Sequence, residues 1–202
     1  MRPRREDKNR SVNERILILC EGGKTEPNYF NGIKRDKAIS NRLAALRIHV
    51  HHTKKNTAKE LIAEAVELIK EAKEEKNPYN SSWIIVDRDG YTKHPEAFDR
   101  ARAHGIHVSF SSPCFEYWIL LHFEYTTSPF TNCEEVIGRL SRFMQGYAKA
   151  GDHYSLLKGS IGEAIARGER IIAHQNEVGT NQIWTSNPYS DVGILVSKLI
   201  NL

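Results

Sequence analysis

The sequence predicts an α/β fold whose first half is built around a parallel sheet. Short, continuous apolar segments at 16–20 and 83–86 have the length and composition of strands that are buried on both faces. Amphipathic helical segments separate the apolar ones, most clearly between residues 57 and 76. Because strands that alternate with helices are joined by crossover connections, we expect these strands to run parallel.

Turn and capping residues place the elements of this half in order. Two glycines end the first strand, and Pro27 suits the first turn of the helix that follows, where its missing N–H is not needed. A second strand is expected over 46–50, where apolar and polar residues alternate. The next helix begins at a capping box formed by Thr57 and Glu60. The elements that complete this half are a third strand at 83–86, a short helix at 95–104 and a fourth strand at 106–110.

From residue 113 onward the pattern is mainly helical. The helical segments lie at 115–123, 134–148, 160–175 and 190–202. The domain prediction is therefore a basic, flexible N-terminal arm over 1–14, an α/β core over 15–112 and a helical C-terminal region over 113–202. Because neither a repeat nor an obvious linker separates the last two regions, we expect them to pack as one unit.

Composition indicates a cytoplasmic globular protein. The 202 residues are 40% apolar and 27% charged, and no apolar run approaches the ~18 residues that a membrane span needs. The charged N-terminus lacks the apolar stretch of a signal peptide. The cysteines Cys20, Cys114 and Cys133 are odd in number and form no CxxC pair, which argues against a disulfide framework and against a zinc knuckle. A reducing compartment follows from that interpretation.

The net charge of +4 permits a nucleic-acid partner without requiring one. Part of the positive charge is concentrated in the arm over 1–14. A basic tail of this kind is more often a solvated, disordered segment than a binding element, and we favour that reading.

Acidic residues follow two of the predicted strands. Glu21 comes after the first strand, and Asp87 and Asp89 come after the third. Ligands of open parallel sheets collect at the carboxyl ends of the strands, and residues i and i+2 project to the same side. Oxygen ligands without an accompanying cysteine or histidine cluster suit Mg²⁺ or Mn²⁺. Taken alone, the segment 87–90 reads equally well as a polar turn whose acids cap backbone N–H groups.

The loop after the first strand carries Lys24 within a Gly-Lys-Thr sequence. A Walker A loop needs a further glycine five residues before Gly23, and that position is occupied by Ile18 of the strand. An intrinsic P-loop ATPase is therefore disfavoured. What remains is an acid at a strand end, two glycines that allow close backbone approach, and a lysine that can contact a phosphate.

The motifs resemble a known family. Residues 16–22 followed by 83–89 are similar to the Toprim pattern, in which an acid follows one hydrophobic strand and a DxD motif follows another. More closely, CEGGKTEPNYF at 20–30, SPCFEYWILLHF at 112–123 and NPYSDV at 187–192 resemble the RloB-like proteins. This resemblance covers nearly the whole chain.

The resemblance implies a Toprim fold and metal-dependent nuclease activity in bacterial restriction and anti-phage loci, often beside a gene for an ABC- or AAA-type ATPase. It implies that Asp87 and Asp89 are the metal-binding DxD pair and that Glu21 is a metal ligand or a general acid/base. Glu26 and Glu116 fall in family motifs and are the next candidates for the acidic cluster. In many relatives another residue, often an acid, stands at the position of Gly23, and its loss here would thin the metal shell.

Two function hypotheses follow. The leading one is a Mg²⁺- or Mn²⁺-dependent nuclease that cleaves DNA or RNA, in which Lys24 steadies a phosphate. The alternative is a non-catalytic regulatory or scaffolding subunit of an ATPase-containing defence complex. Topoisomerase- or primase-like chemistry is disfavoured because no strand-passage or polymerising domain fits in the remaining length. The sequence leaves a homo-oligomer open, and His122 is expected to be a core residue and not a base.

Overall fold

The computed structural model describes residues 15–36, 57–88, 94–179 and 182–201, together with the backbone of 49–52. Three predictions lie outside these residues: the basic arm over 1–14, the position of Asp89, and residues 46–48 of the predicted second strand.

Five strands form one mixed sheet in the order β2-β1-β3-β4-β5. Strands β2, β1, β3 and β4 run parallel to one another, and β5 pairs antiparallel with β4. This sheet, with helices connecting its strands, confirms the predicted α/β class. The strands are β1 Ile16–Cys20, β2 His49–His52, β3 Ser81–Asp87, β4 His107–Ser112 and β5 Tyr189–Ser190.

The register places the strand ends that matter for the site. Ile16 pairs with Ser81 and Cys20 pairs with Ile85, so β3 extends two residues further than β1 and ends at Asp87. All five residues of β1 are fully buried, because helices or loops cover both faces of this interior strand. Continuous burial explains why its sequence is a run of apolar residues without alternation.

The helices of the described chain agree broadly with the predicted ones. Thr57 caps the second helix, since its side-chain oxygen accepts a hydrogen bond from the Glu60 backbone N–H at 3.3 Å, as the capping box predicts. The helices are α1 Thr25–Arg35, α2 Ala58–Glu74, α3 His94–Ala103, α4 Glu116–Leu121, α5 Cys133–Leu140, α6 Tyr154–Leu157, α7 Ile161–Glu177 and α8 Val192–Asn201.

The C-terminal half departs from the helices predicted for it in two places. Helix α5 ends at Leu140 and does not continue to residue 148, because the Ser141 hydroxyl donates to the Ile137 carbonyl at 2.8 Å and turns follow. Strand β5 adds an edge to the sheet, with the Ser190 and Ser111 hydroxyls 3.1 Å apart. A strand of two residues has no periodicity that a sequence could reveal.

Helix α4 lies in the centre of the core, and all six of its residues are buried. Around it, Tyr29 makes edge-to-face contacts with Trp118 and Phe115, with ring centroids 6.3 and 5.7 Å apart. His122 is 3% exposed and its ring nitrogens contact the Tyr29 hydroxyl and the Trp118 carbonyl. Burial lowers the pKa of His122 to about 4, which agrees with a neutral core histidine.

Cys114 and Cys133 form a disulfide, so the prediction that the chain has none was wrong. The two residues are 19 positions apart in sequence, but Cys114 precedes α4 and Cys133 begins α5, which packs beside it, and their Cα atoms lie 5.7 Å apart. The inference of a reducing compartment loses the support that it took from the cysteine pattern. Cys20 is a buried free thiol in β1.

In the described part of the chain, no helix combines the length and hydropathy needed to cross a membrane.

Candidate acidic site at the carboxyl end of the sheet

The ends of two neighbouring parallel strands bring Glu21 and Asp87 together. Glu21 follows β1, and its backbone N–H donates to the Ile85 carbonyl of β3 at 3.0 Å. The backbone N–H of Asp87 donates to the Glu21 carboxylate at 3.1 Å. Two acids separated by 66 residues in sequence therefore lie side by side at the carboxyl edge of the sheet.

Asp87 is half-buried, and its Oδ1 atom is fully buried in a strongly acidic environment. Burial raises its pKa well above the usual range, and the charges of Glu26, Glu116 and Glu21 raise it further. A hydrogen bond from the Phe115 backbone amide opposes this rise. Within the described residues, Asp87 Oδ1 is a buried oxygen without a hydrogen-bond partner. A buried acceptor of this kind costs free energy unless another group, such as a cation, satisfies it.

Glu26 lies in the first turn of α1 and is only 6% exposed. Burial raises its pKa to about 7, the charge of Glu116 adds to the rise, and Lys149 and nearby backbone amides oppose it. Its carboxylate lies against Gly22, where the Cβ of any larger residue would overlap both carboxylate oxygens. Gly22 is thus the residue whose missing side chain makes room for this acid.

Glu116 is the first residue of α4 and is 1% exposed. The hydroxyls of Thr25 and Tyr147 donate to its Oε1 atom at 3.0 and 3.1 Å. The Lys149 ammonium lies 3.7 Å from the same oxygen, whereas Oε2 contacts Cys133 Sγ at 3.2 Å. Glu116 is therefore the best supported of the buried acids, with donors on one oxygen and a sulfur against the other.

Three further positions of the predicted site, Lys24, Asp89 and Gly23, follow β1 and β3 in the sequence. Lys24 is exposed in the bend that joins β1 to α1, between Glu21 and Glu26 in sequence. Asp89 lies outside the described residues. Gly23 is exposed, and a Cβ at this position would meet no atom within 4 Å, so the loop has room for a larger side chain there.

The four described acids come from separate parts of the chain, and no three of their carboxylate oxygens lie within 4.8 Å of one another. Their proximity is felt electrostatically: Glu116 raises the pKa of Glu26, and the charges of Glu26, Glu116 and Glu21 raise the pKa of Asp87. Within the described ranges, the group of three or more ligand atoms that all lie within 4.8 Å of one another is Cys114, Glu116 and Cys133. The carboxylates are spread more widely, as suits a Mg²⁺ ion that binds one or two of them directly and keeps several waters.

Several residues of the site carry no signal in the sequence. Thr25 and Tyr147 contact Glu116 from 91 and 31 residues away, which only the folded chain reveals. Cys20 ends the strand below the acids, and burial together with Glu26 and Asp87 raises the pKa of its thiol. Its side chain therefore stays protonated and unreactive.

Comparison with known proteins gives one finding. No curated protein and no solved structure matches the chain significantly. The family model described as RloB-like protein matches residues 16–199, which span the sheet, the acidic site and helices α1 to α7 together with most of α8. The chain therefore belongs to the RloB-like family.

Proposed function

We propose that this chain is a divalent-metal-dependent nuclease with a Toprim-like core, which hydrolyses phosphodiester bonds in DNA or RNA. The observation that carries the proposal is the Asp87 carboxylate, which lies near Glu21, Glu26 and Glu116 and whose Oδ1 oxygen is buried and unpartnered in the described structure. Buried like charges without a compensating cation are unfavourable, whereas a divalent cation turns the same arrangement into a binding site.

The donor set fits Mg²⁺ or Mn²⁺, because carboxylate oxygens are the ligands that these hard cations prefer. In this proposal Asp87 and Asp89 hold the metal, and Glu21 ligates it or moves a proton. Glu26 and Glu116 complete the acidic shell, and the exposed Lys24 steadies a substrate phosphate. A bound metal of this kind polarises the phosphoryl group and lowers the pKa of a water molecule.

The family resemblance extends the proposal to a bacterial anti-phage role in the cytoplasm with an ABC- or AAA-type ATPase partner. A nuclease that acts in such a system can depend on its partner for substrate or timing. The activity is therefore best assayed with the purified chain alone and again with a candidate ABC- or AAA-type ATPase partner added.

The decisive variant is Asp87→Asn, which keeps the shape of the side chain and removes its charge. We expect cleavage of plasmid DNA or tRNA in the presence of Mn²⁺ to fall on the order of 100-fold or more, because the metal loses a ligand. The free energy of unfolding without metal should rise in the same variant, since one of several buried like charges is gone. Loss of activity with gain of stability distinguishes a metal-site role from a structural one.

Asp99→Asn is the matched control, because Asp99 lies on α3 with its side chain 74% exposed. It should change neither cleavage nor stability. Cleavage that survives EDTA, or that Asp87→Asn leaves unchanged, contradicts the proposal. A chain that co-purifies with the ATPase and cleaves nothing even in the complex favours the scaffolding alternative.

A further inference from the structure

A second set of ligand atoms shares Glu116 with the acidic site and differs from it in chemistry, because its other two members are sulfurs. The sulfur atoms of Cys114 and Cys133 and a carboxylate oxygen of Glu116 all lie within 4.8 Å of one another. Cys114 and Glu116 flank the start of α4, and Cys133 begins α5, which packs against α4. The set is well shielded from water, since Cys114 and Glu116 are each 1% exposed and Cys133 is half-buried.

The two oxygens of Glu116 have different roles in this arrangement. Oε1 accepts hydrogen bonds from the hydroxyls of Thr25 and Tyr147, which fix the orientation of the carboxylate. Oε2 lies 3.2 Å from Cys133 Sγ. A disulfide sulfur carries no hydrogen to donate, so this contact leaves the lone pairs of Oε2 directed at the sulfurs.

We propose that, once the disulfide is reduced, Cys114, Glu116 and Cys133 bind a thiophilic divalent cation such as Zn²⁺. A thiol or phosphine reductant supplies two electrons that break the S–S bond, and two protons convert the sulfurs to thiols. Coordination then releases those two protons and leaves two thiolates on the metal. Formation of the disulfide by a thiol–disulfide oxidant reverses these steps and abolishes the site.

The position of the carboxylate and the local charges suit such an ion. In the oxidised chain the two sulfurs are bonded to each other, and Glu116 Oε2 lies 3.2 Å from Cys133 Sγ. A tetrahedral zinc with bonds of about 2.0–2.3 Å needs ligand atoms roughly 3.5–3.8 Å apart, so after reduction the sulfurs must separate, which rotation of the two cysteine side chains allows. Three protein ligands leave a fourth position for water. Two thiolates and one carboxylate carry three negative charges, which Zn²⁺ and the nearby Lys149 ammonium balance. Lys149 Nζ lies 3.7 Å from Glu116 Oε1 and 3.9 Å from Cys133 Sγ.

The proposal is tested with the full chain and Co²⁺, which replaces zinc and is visible by absorption. The protein is prepared reduced and oxidised, each is freed of reagent, and both are titrated without oxygen. We expect the reduced chain to bind one Co²⁺ with thiolate-to-cobalt charge-transfer absorption, which added Zn²⁺ removes. The oxidised chain should give no such absorption. It is an internal control for Cys20, because that buried thiol is present in both forms.

Two variants test the ligands separately. In the reduced state, Cys133→Ser should lose the charge-transfer absorption of one thiolate and weaken Co²⁺ binding at least tenfold. Glu116→Gln should keep both thiolates and weaken binding by a similar factor. Equal Co²⁺ binding by the two redox forms, unchanged binding by either variant, or loss of the folded circular dichroism spectrum on reduction overturns the proposal.

Discussion

At the residue scale, the acidic site depends on a missing side chain as well as on the charged ones. Gly22 lies between Glu21, which follows β1, and the first turn of α1, and the Glu26 carboxylate occupies the space that a Cβ at position 22 would take. The neighbouring Gly23 faces open space. Two adjacent glycines therefore have different roles, and only the first is required by close approach.

This difference gives a paired prediction for Gly22→Ala and Gly23→Ala. The added methyl group at position 22 overlaps the Glu26 carboxylate, so this side chain must move away from the position it holds. Because the methyl group meets only the far end of a flexible side chain, we expect Gly22→Ala to lower the free energy of unfolding by no more than about 1 kcal/mol and to weaken metal-dependent cleavage by displacing that carboxylate. Urea unfolding and the nuclease assay measure the two effects.

Gly23→Ala is the control and should stay within about 0.5 kcal/mol of the parent chain, because its methyl group meets solvent. If the two variants are equally stable and equally active, the close contact between Gly22 and Glu26 has no bearing on the site.

Some residues of the site could be predicted from the sequence and others could not. Glu21 and Asp87 were predicted to meet because parallel strands end at one edge of a sheet, and the hydrogen bond between them agrees with that geometry. The hydroxyls of Thr25 and Tyr147 on Glu116 were not predictable. Their partner is fixed by the packing of separate helices and loops, which leaves no local pattern in the chain.

At the element scale, helix α1 carries Glu26 and is held in place by α6. Gly32 of α1 lies directly against the Cβ and ring of Tyr154 in α6. The Tyr154 hydroxyl donates to the Asp36 carboxylate just beyond the end of α1, at 3.1 Å. Tyr29 of α1 also contacts Tyr154 edge to face. The position of the acid in the first turn therefore depends on a helix contact two turns further along.

Gly32→Ala and Gly138→Ala should change stability in opposite directions. Both residues lie inside helices, where alanine is intrinsically favoured by up to about 1 kcal/mol. At Gly32 the new Cβ overlaps Tyr154, and the resulting overpacking of about 1–3 kcal/mol outweighs that gain. At Gly138 of α5 the Cβ meets nothing within 4 Å, so only the gain remains. Thermal or urea unfolding of the two variants measures the sign of each change.

A stabilising effect of Gly32→Ala would mean that α1 and α6 can separate without cost. In the nuclease assay the same variant should also lose activity, because a displaced α1 carries Glu26 away from Asp87. Gly138→Ala should leave cleavage unchanged.

Helices and strands could be predicted from the sequence where their formation depends on residues that are close together in the chain. The buried run of β1 and the cap of α2 carry local signals, and both elements formed as expected. Strand β5 and the Cys114–Cys133 disulfide depend on contacts between distant segments. Neither has a local signature, and the odd cysteine count pointed away from the disulfide.

At the scale of the whole molecule, the buried acids connect folding, pH and metal binding. Burial and neighbouring carboxylates raise the pKa of Glu26 to about 7 from an ordinary value of 4.5, and they raise the pKa of Asp87 in the same direction. Between pH 4.5 and about pH 7, Glu26 is protonated in the folded chain and ionised in the unfolded chain, so the folded chain binds more protons. The free energy of unfolding of the metal-free protein must therefore fall as the pH rises through this window.

A divalent metal ion should oppose this fall in stability with rising pH. Mg²⁺ binds the ionised carboxylates of the folded chain, so at about pH 8 a concentration near 100 times its dissociation constant should stabilise the fold by about 3 kcal/mol. At about pH 5 the protonated acids bind metal poorly, and the same concentration should stabilise it much less. Unfolding midpoints measured across this pH range with Mg²⁺ and with EDTA give both profiles.

Glu26→Gln separates the acidic site from other buried acids. Asp191, whose pKa burial raises to about 6, adds to the fall in stability with pH, but it lies beside β4 and is not one of the site's acids. In Glu26→Gln the free energy of unfolding without metal should fall less steeply with pH, because the contribution of Glu26 is gone. The contribution of Asp191 to this fall should remain. The idea of an acidic metal site fails if Mg²⁺ stabilises the chain equally at about pH 5 and pH 8, because a site of carboxylates with raised pKa values must lose its cation when they are protonated.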